Sequence, residues 1–311
     1  MRISAYGMAL CALMGCGGTR GGPPVHVPIW PGAAPDAVPV PGPENATSTE
    51  TEPLVAGRPW TEVRNVARPT MTVYPPRGAN TGAAVVVFPG GGYKALAVDL
   101  EGTEVCDWLT SRGITCVLLK YRVPYTGPYG LASCQCHITP KVPRALEDAQ
   151  RTISLVRARA KEWHIDPRKI GVLGFSAGGH LVAAASTHFA QRTYEALDAA
   201  DRESSRPDFA IVLYPGHLWT EEKLDLNPDI ATRISRDTPP TFLVQAEDDP
   251  VDDINHSLVY YIALKNAEVP VEMHLYPHGG HAFGLRRTQH RITEWPQLAE
   301  AWLQTIGVLP R

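Results

Sequence analysis

The 311-residue chain is poor in the features that mark most specialised classes of protein. No apolar run approaches the roughly 20 residues of a membrane-spanning helix, so a bundle of such helices is excluded. Lys and Arg number 29 against 32 Asp and Glu, a formal charge of −3, and no basic cluster is long enough to make a phosphate-binding face. Nucleic acid is therefore not expected as a partner. The six cysteines include no paired two-residue spacing of the kind a zinc site uses, and "CQC" at Cys134 to Cys136 is closer than that, so no metal is expected. The chain also has no Gly-x-Gly-x-x-Gly run and no Walker lysine, which removes nucleotide cofactors, and it shows no internal repeat.

What is present divides into three parts, residues 1–16, 17–59 and 60–311. The first carries Arg2, an apolar core from about Ala5 to Met14 and "LMGC" ending at Cys16. That layout is an export signal, and "LMGC" resembles a bacterial lipobox in which Cys16 becomes the acylated first residue of the mature protein. The expected location is periplasmic or outer-membrane-associated, held by the lipid at Cys16, with plain secretion as the alternative. Residues 17–59 contain ten prolines and seven glycines without apolar periodicity, which predicts a tether. Within it Ile29 and Trp30 are candidates to lie on the folded body as an extended arm. Past the signal, Cys106, Cys116, Cys134 and Cys136 remain in a compartment that permits disulfides, either as buried thiols or in one or two bridges.

From residue 60 onward strand-like and helix-like segments alternate. "AAVVVFPG", "ITCVLLKYRV", "KIGVLGF", "DFAIVLYPG", "TFLVQAEDD" and "VEMHLYPHGGH" are short β-branched or aromatic runs, most of them closed by turn residues. Between them lie amphipathic stretches such as "VPRALEDAQRTISLVRARAKEWHI". This alternation predicts an α/β fold with a mostly parallel central sheet, helices on both faces, and active groups gathered at the C-terminal strand ends.

"GVLGFSAGGH", Gly171 to His180, sets Ser176 between glycines at −2 and +2, where a strand must turn sharply into a helix. Such a corner pushes a hydroxyl out of the sheet, and the glycines give steric clearance. A serine hydroxyl needs a base to take its proton and an acid to orient the base, in the chain order serine, acid, histidine. "AEDDP" offers Asp248 or Asp249 at one strand end, and "PHGGHAFG" offers His278 or His281 at a later one. The glycines of "FPGGGY" follow a buried strand and leave backbone N–H groups unhindered, so Gly91 and Gly92, with Ala177 after the serine, are the candidate oxyanion donors.

Together "FPGGGY", "GFSAGGH", "AEDDP", "HGGHAFG", "EGTEVCDWL" and "LKYRVP" resemble the α/β-hydrolase esterases related to hormone-sensitive-lipase-type carboxylesterases. The resemblance is specifically to the exported bacterial branch near acetylxylan and feruloyl esterases. The resemblance covers residues 60–311. It implies Ser176 as nucleophile, Asp249 as acid, His281 as base, and Gly91, Gly92 and Ala177 as oxyanion donors. One departure is visible: Pro89 stands where the lipase-type motif has a histidine, so the rigidity of proline must orient the loop instead.

The span between Asp208 and Thr241 is too short for a helical lid, which favours short acyl esters. Tyr93, Tyr125, Tyr129 and His217 are candidates to contact a sugar or phenolic group. The expected function is a serine carboxylic ester hydrolase that deacylates acetylated or feruloylated polysaccharide fragments. The alternatives are a prolyl-oligopeptidase-type serine peptidase, although no propeller repeats precede the domain, and a catalytically silent glycan-binding lipoprotein.

Overall fold

The run "AVVVF" is apolar at every position, so as a strand it is stable only where both faces are covered; it forms a strand with all five residues buried. The structure is a computed structural model and describes residues 22–48, 54–127, 130–131, 136–137, 141–221 and 223–311. Its strands are β1 (Val25–Pro28), β2 (Asn45–Ser48), β3 (Thr61–Arg64), β4 (Thr70–Tyr74), β5 (Ala84–Phe88), β6 (Leu96–Ala97), β7 (Thr115–Lys120), β8 (Gly130–Leu131), β9 (Cys136–His137), β10 (Ile170–Phe175), β11 (Ala210–Leu213), β12 (Thr241–Ala246) and β13 (Val271–Tyr276). Its helices are α1 (Glu104–Ser111), α2 (Pro143–Ala158), α3 (Ala177–Thr187), α4 (Pro228–Ala231), α5 (Asn255–Asn266) and α6 (Trp295–Thr305).

Eight strands make one sheet in the order β1-β4-β7-β5-β10-β11-β12-β13. From β7 to the β13 edge every neighbouring pair is parallel, whereas β4 runs antiparallel to β7 and β1 antiparallel to β4. Alternate residues of a strand serve opposite faces. Ala84, Val86 and Phe88 join a core with α2, α3 and α5, while Val85 and Val87 face the residues of α1 and α6. Helix α2 buries Ala145, Leu146, Ala149, Ile153 and Val156, a helical stripe that covers one sheet face. On the other face Cys106 of α1 is bridged to Cys116 of β7, with Cα atoms 5.1 Å apart, so of the thiol and disulfide alternatives this pair takes the disulfide, which ties that helix to the sheet. Cys134 lies outside the described residues.

The boundary predicted at residue 60 moves. Val25–Pro28 adds an edge strand to the main sheet, and Asn45–Ser48 pairs with Thr61–Arg64 in a small second sheet. Ile29 and Trp30 are 1% and 5% exposed, and the indole Nε1 donates to the buried Asp148 at 2.8 Å. The guanidinium groups of Arg122 and Arg151 each lie 5.8 Å from the indole centroid. The inner half of the Pro/Gly-rich segment is thus part of the body. The docking of Ile29 and Trp30 agrees with the expected arm, but the prolines hid the strand pairing, because proline lacks the N–H a central strand needs and is tolerated on an edge. The export segment and Cys16 lie outside the described residues, among which no helix is long and apolar enough to cross a membrane.

Two features of this topology position the site. The chain goes from β5 to β7 on one side and then crosses back to β10 on the other, so the loops leaving β5 and β10 diverge and open a crevice at their C-terminal ends. Between β11 and β12 the described residues hold only the single turn of α4 and an isolated Trp219–Leu226 bridge, with no helical lid.

Candidate active site

Ser176 sits between β10 and α3 with φ 52° and ψ −121°, a conformation that L-residues rarely adopt and that marks stored backbone strain. Close approach explains the glycines around it. A Cβ on Gly178 would fall 2.0 Å from the Phe88 carbonyl oxygen, and one on Gly174 2.2 Å from the Gly178 oxygen. Any side chain at either position would push β5, β10 and α3 apart. The serine N–H donates to the Leu213 carbonyl at 3.0 Å, which fixes the corner to the neighbouring strand β11.

Asp249 leaves the end of β12 with its side chain fully buried. Its Oδ2 lies 2.7 Å from His281 Nδ1 and accepts Gln245 Nε2 at 3.1 Å, while Oδ1 accepts the N–H groups of Val251 and Asp252. Asp248, the other aspartate left open by "EDDP", does different work. It accepts the N–H groups of Gly279 and Gly280 and contacts His278 Nδ1 at 3.2 Å, both side chains being exposed. It caps the loop that carries His281. Burial disfavours a charged His281 ring, but the hydrogen bond to Asp249 and the charges of Asp249, Asp252 and Glu101 outweigh burial and raise its pKa above the usual imidazole value.

Sequence reasoning missed two acids. Asp252 Oδ2 accepts the Ser176 hydroxyl at 3.1 Å and stands 3.8 Å from His281 Nε2, so one oxygen neighbours both the serine and the imidazole. Glu101, in the π-helical turn Asp99–Thr103 ahead of α1, is 2% exposed; it accepts the Gly90 N–H at 2.7 Å and the Tyr214 hydroxyl at 2.9 Å. Burial raises the pKa of both carboxyls. The only hint of Asp252 was its place three residues after Asp249, and nothing local distinguishes Glu101 from a solvated helix residue.

Glu101 also bears on the oxyanion loop. Gly91 has φ 131°, and a Cβ there would lie 2.2 Å from the Ala95 oxygen, so only glycine fits. The loop is held from three sides: Glu101 takes the Gly90 N–H, the Tyr121 hydroxyl donates to the Pro89 carbonyl at 2.6 Å, and the buried Tyr93 hydroxyl meets His180 Nδ1 at 2.7 Å. Side-chain anchors thus add to the stiffness of Pro89, and Tyr93 and His180 link the loop to the helix that begins after Ser176.

A cavity of about 440 Å³ opens over the serine, lined by Gly91, Gly92, Glu101, Ser176, Asp252 and His281, with Trp60, Lys94, His217 and Val251 on its walls. Of the four residues expected to contact substrate, His217 lines it. Tyr93 is fully buried behind the loop, its ring tilted against His217 at 5.6 Å, and so cannot present a stacking face. Tyr125 lies outside the lining, under the Arg144 guanidinium, with its N–H on the Tyr93 carbonyl. Tyr129 lies outside the described residues. Burial pushes His217 down to about 3, so it is neutral at ordinary pH. Among the described residues no cluster of His, Cys, Asp and Glu could hold a metal ion.

The family model of the prolyl oligopeptidase family matches residues 146–307, more than half of the chain and the part that carries Ser176, Asp249 and His281. This chain is an α/β hydrolase of that family. A second family model, BD-FAE, matches residues 71–213. Among curated proteins the chain is similar to an acetylxylan esterase of Xylanibacter ruminicola, 32% identical over 252 residues, covering 73% of this chain and 45% of that one. It is also similar to endo-1,4-beta-xylanase B of Butyrivibrio fibrisolvens, 28% identical over 63% of this chain and 32% of the other. The chain therefore spans less than half the length of these two relatives. Among solved structures it is similar to an acetyl ester-xyloside bifunctional hydrolase from Caldicellulosiruptor lactoaceticus, with a TM-score of 0.69, 32% identity and coverage of 93% of this chain and 98% of that one. This α/β hydrolase is thus related to acetylxylan esterases.

Proposed function

We propose that the chain is a serine carboxylic ester hydrolase that removes short acyl groups, acetyl foremost, from sugar or polysaccharide fragments. One observation carries this reading: a strained serine lines the same cavity as a histidine whose Nδ1 lies 2.7 Å from a buried aspartate carboxylate. The acetylxylan esterase relative supports the substrate class.

In this reading His281 Nε2 takes the Ser176 proton as Oγ attacks the ester carbonyl, and Asp249 keeps the other ring proton on Nδ1. The backbone N–H groups of Gly91, Gly92 and Ala177 stabilise the oxyanion. The imidazolium then gives its proton to the departing alcohol, and water cleaves the acyl-enzyme by the same path. The absence of a lid among the described residues suits short acyl groups on a bulky alcohol.

Labelling by a fluorophosphonate and turnover of an acetyl ester test the reading together. Ser176→Ala should abolish labelling and lower turnover by about 10⁴ to 10⁶ while the protein stays folded. Turnover within tenfold of wild type would remove Ser176 from the mechanism, and an unlabelled wild type would favour the silent glycan binder. The family match favours a peptidase as the second reading, and faster cleavage of a proline anilide than of an acetyl ester would support it. The proposal extends to export and lipidation at Cys16, supported by "LMGC". Cys16→Ser should release the protein from a membrane pellet, and unchanged pelleting would count against the anchor.

A further inference from the structure

Asp252 has no part in the reaction just outlined, yet it occupies the space where that reaction takes place. Its Oδ2 accepts the Ser176 hydroxyl and stands 3.8 Å from His281 Nε2. The side chain lines the cavity, is 14% exposed, and fits only because residue 216 is glycine, where a Cβ would lie 2.5 Å from Oδ1. An acceptor placed there competes with the imidazole for the serine proton. A carboxylate that did nothing else would simply slow the enzyme.

The geometry points to a role for Asp252 in choosing the alcohol part of the ester: it accepts a hydrogen bond from a free hydroxyl beside the acylated one, and so selects partly acylated sugars over esters of simple alcohols. This rests on the esterase reading above. Its basis is where the leaving oxygen must stand. His281 Nε2 has to return a proton to that oxygen, so the oxygen lies within hydrogen-bond reach of Nε2. A hydroxyl on the adjacent sugar carbon is one gauche contact farther on, and the group next to Nε2 on the cavity side is Asp252 Oδ2. A hydroxyl that donates to Oδ2 takes the place of the Ser176 hydroxyl, which is then released to Nε2. Binding of the right alcohol thereby assembles the reacting pair, and an alcohol without the donor leaves the serine held by the carboxylate. Glu101, the other acid in the wall, already accepts both Gly90 and Tyr214. Trp60 on the same cavity offers an apolar surface for a sugar face.

The test compares kcat/KM for a methyl xyloside monoacetate with a free neighbouring hydroxyl and for 4-nitrophenyl acetate. It uses the wild type, Asp252→Ala and the isosteric Asp252→Asn, with fluorophosphonate labelling to verify that each variant keeps its site. The sugar-to-aryl ratio should fall by at least about tenfold in Asp252→Ala, because a site built to bind a hydroxyl discriminates through it. It should fall less in Asp252→Asn, which keeps an acceptor oxygen. A smaller fall in Asp252→Ala overturns the role of Asp252, as does an equal loss on both esters. A wild type that labels but cleaves neither ester overturns the esterase reading, and this inference with it.

Discussion

Replacing Asp249 by asparagine changes one atom of a fully buried side chain, and the surroundings dictate which way the amide turns. In the present structure Oδ1 accepts two backbone N–H groups, from Val251 and Asp252, and Oδ2 accepts Gln245 Nε2 and faces His281 Nδ1. If the asparagine keeps its oxygen on the backbone pair, its NH₂ faces Gln245 and His281. If it flips, NH₂ opposes two backbone donors that cannot move, at about 1–3 kcal/mol for each group left unpaired. The first orientation wins, since Gln245 is a side chain and can readjust. The NH₂ then donates to Nδ1, which forces the ring proton onto Nε2, the atom that must accept the serine proton. Wrong-tautomer imidazole lowers kcat by about 10⁴ in serine hydrolases, so a loss of that order is expected here. Asp248→Asn keeps an oxygen for Gly279 and Gly280, and should cost less than about tenfold in kcat because the cap is retained. Both variants are compared on one acetyl ester at roughly pH 8, above the ordinary imidazole value. The assignment fails if Asp248→Asn is the worse of the two, or if Asp249→Asn retains a tenth of wild-type kcat.

Three further outcomes follow from the same contacts. Because the folded site raises the His281 pKa and the base must be neutral, kcat/KM should climb with pH along a limb whose midpoint lies above the ordinary imidazole value of about 6.5; a midpoint below it, or a flat profile, refutes a histidine base in this environment. Glu101→Ala strands the buried Gly90 N–H and Tyr214 hydroxyl, which should lower stability by about 2–4 kcal/mol and kcat by about 10² as the oxyanion loop loosens, whereas Glu101→Gln, able to accept from Gly90 and donate to Tyr214, should retain most of both; calorimetry and steady-state rates decide, and equal effects of the two variants would count against the anchoring role. Removing the Cys106–Cys116 bridge by a double alanine substitution opens a short loop and should cost about 3 kcal/mol, lowering Tm by roughly 6–12 °C, and an unchanged Tm would show that the bridge does not form in solution.

The legible part of the fold was the part where burial leaves the sequence no choice. A strand covered on both faces must be largely apolar: β5, β10 and β11 carry no polar side chain, and β7 and β12 depart only at Thr115, Lys120, Thr241 and Gln245; the helices between them then follow from spacing. The arm was expected from Ile29 and Trp30; what escaped was its pairing as the edge strand Val25–Pro28, and the strand at Asn45–Ser48. There pairing is at sheet edges, side chains are largely exposed, and prolines dilute the pattern below recognition. The arm's anchor, Trp30 on Asp148, joins residues 118 positions apart, and such a contact leaves no periodic trace.

The site divides along the same line. Ser176, Asp249 and His281 could be read because each stands where a strand ends and the backbone itself must do something unusual: turn through a strained corner, exit before a proline, or open into glycines. Asp252 and Glu101 could not, because their importance lies in what they face, and that is set by packing between elements. Glu101 becomes a loop anchor only when the π-helical turn brings it under Gly90, and Asp252 reaches Ser176 only because Gly216 on another strand's exit leaves room. The same argument explains the aromatic residues. Tyr93 was expected to contact substrate, but its φ of 57° turns the side chain back into the protein, where its hydroxyl meets His180. The candidate nucleophile, base and acid were legible at strand ends, whereas Asp252 and Glu101 reach the cavity only through packing between elements.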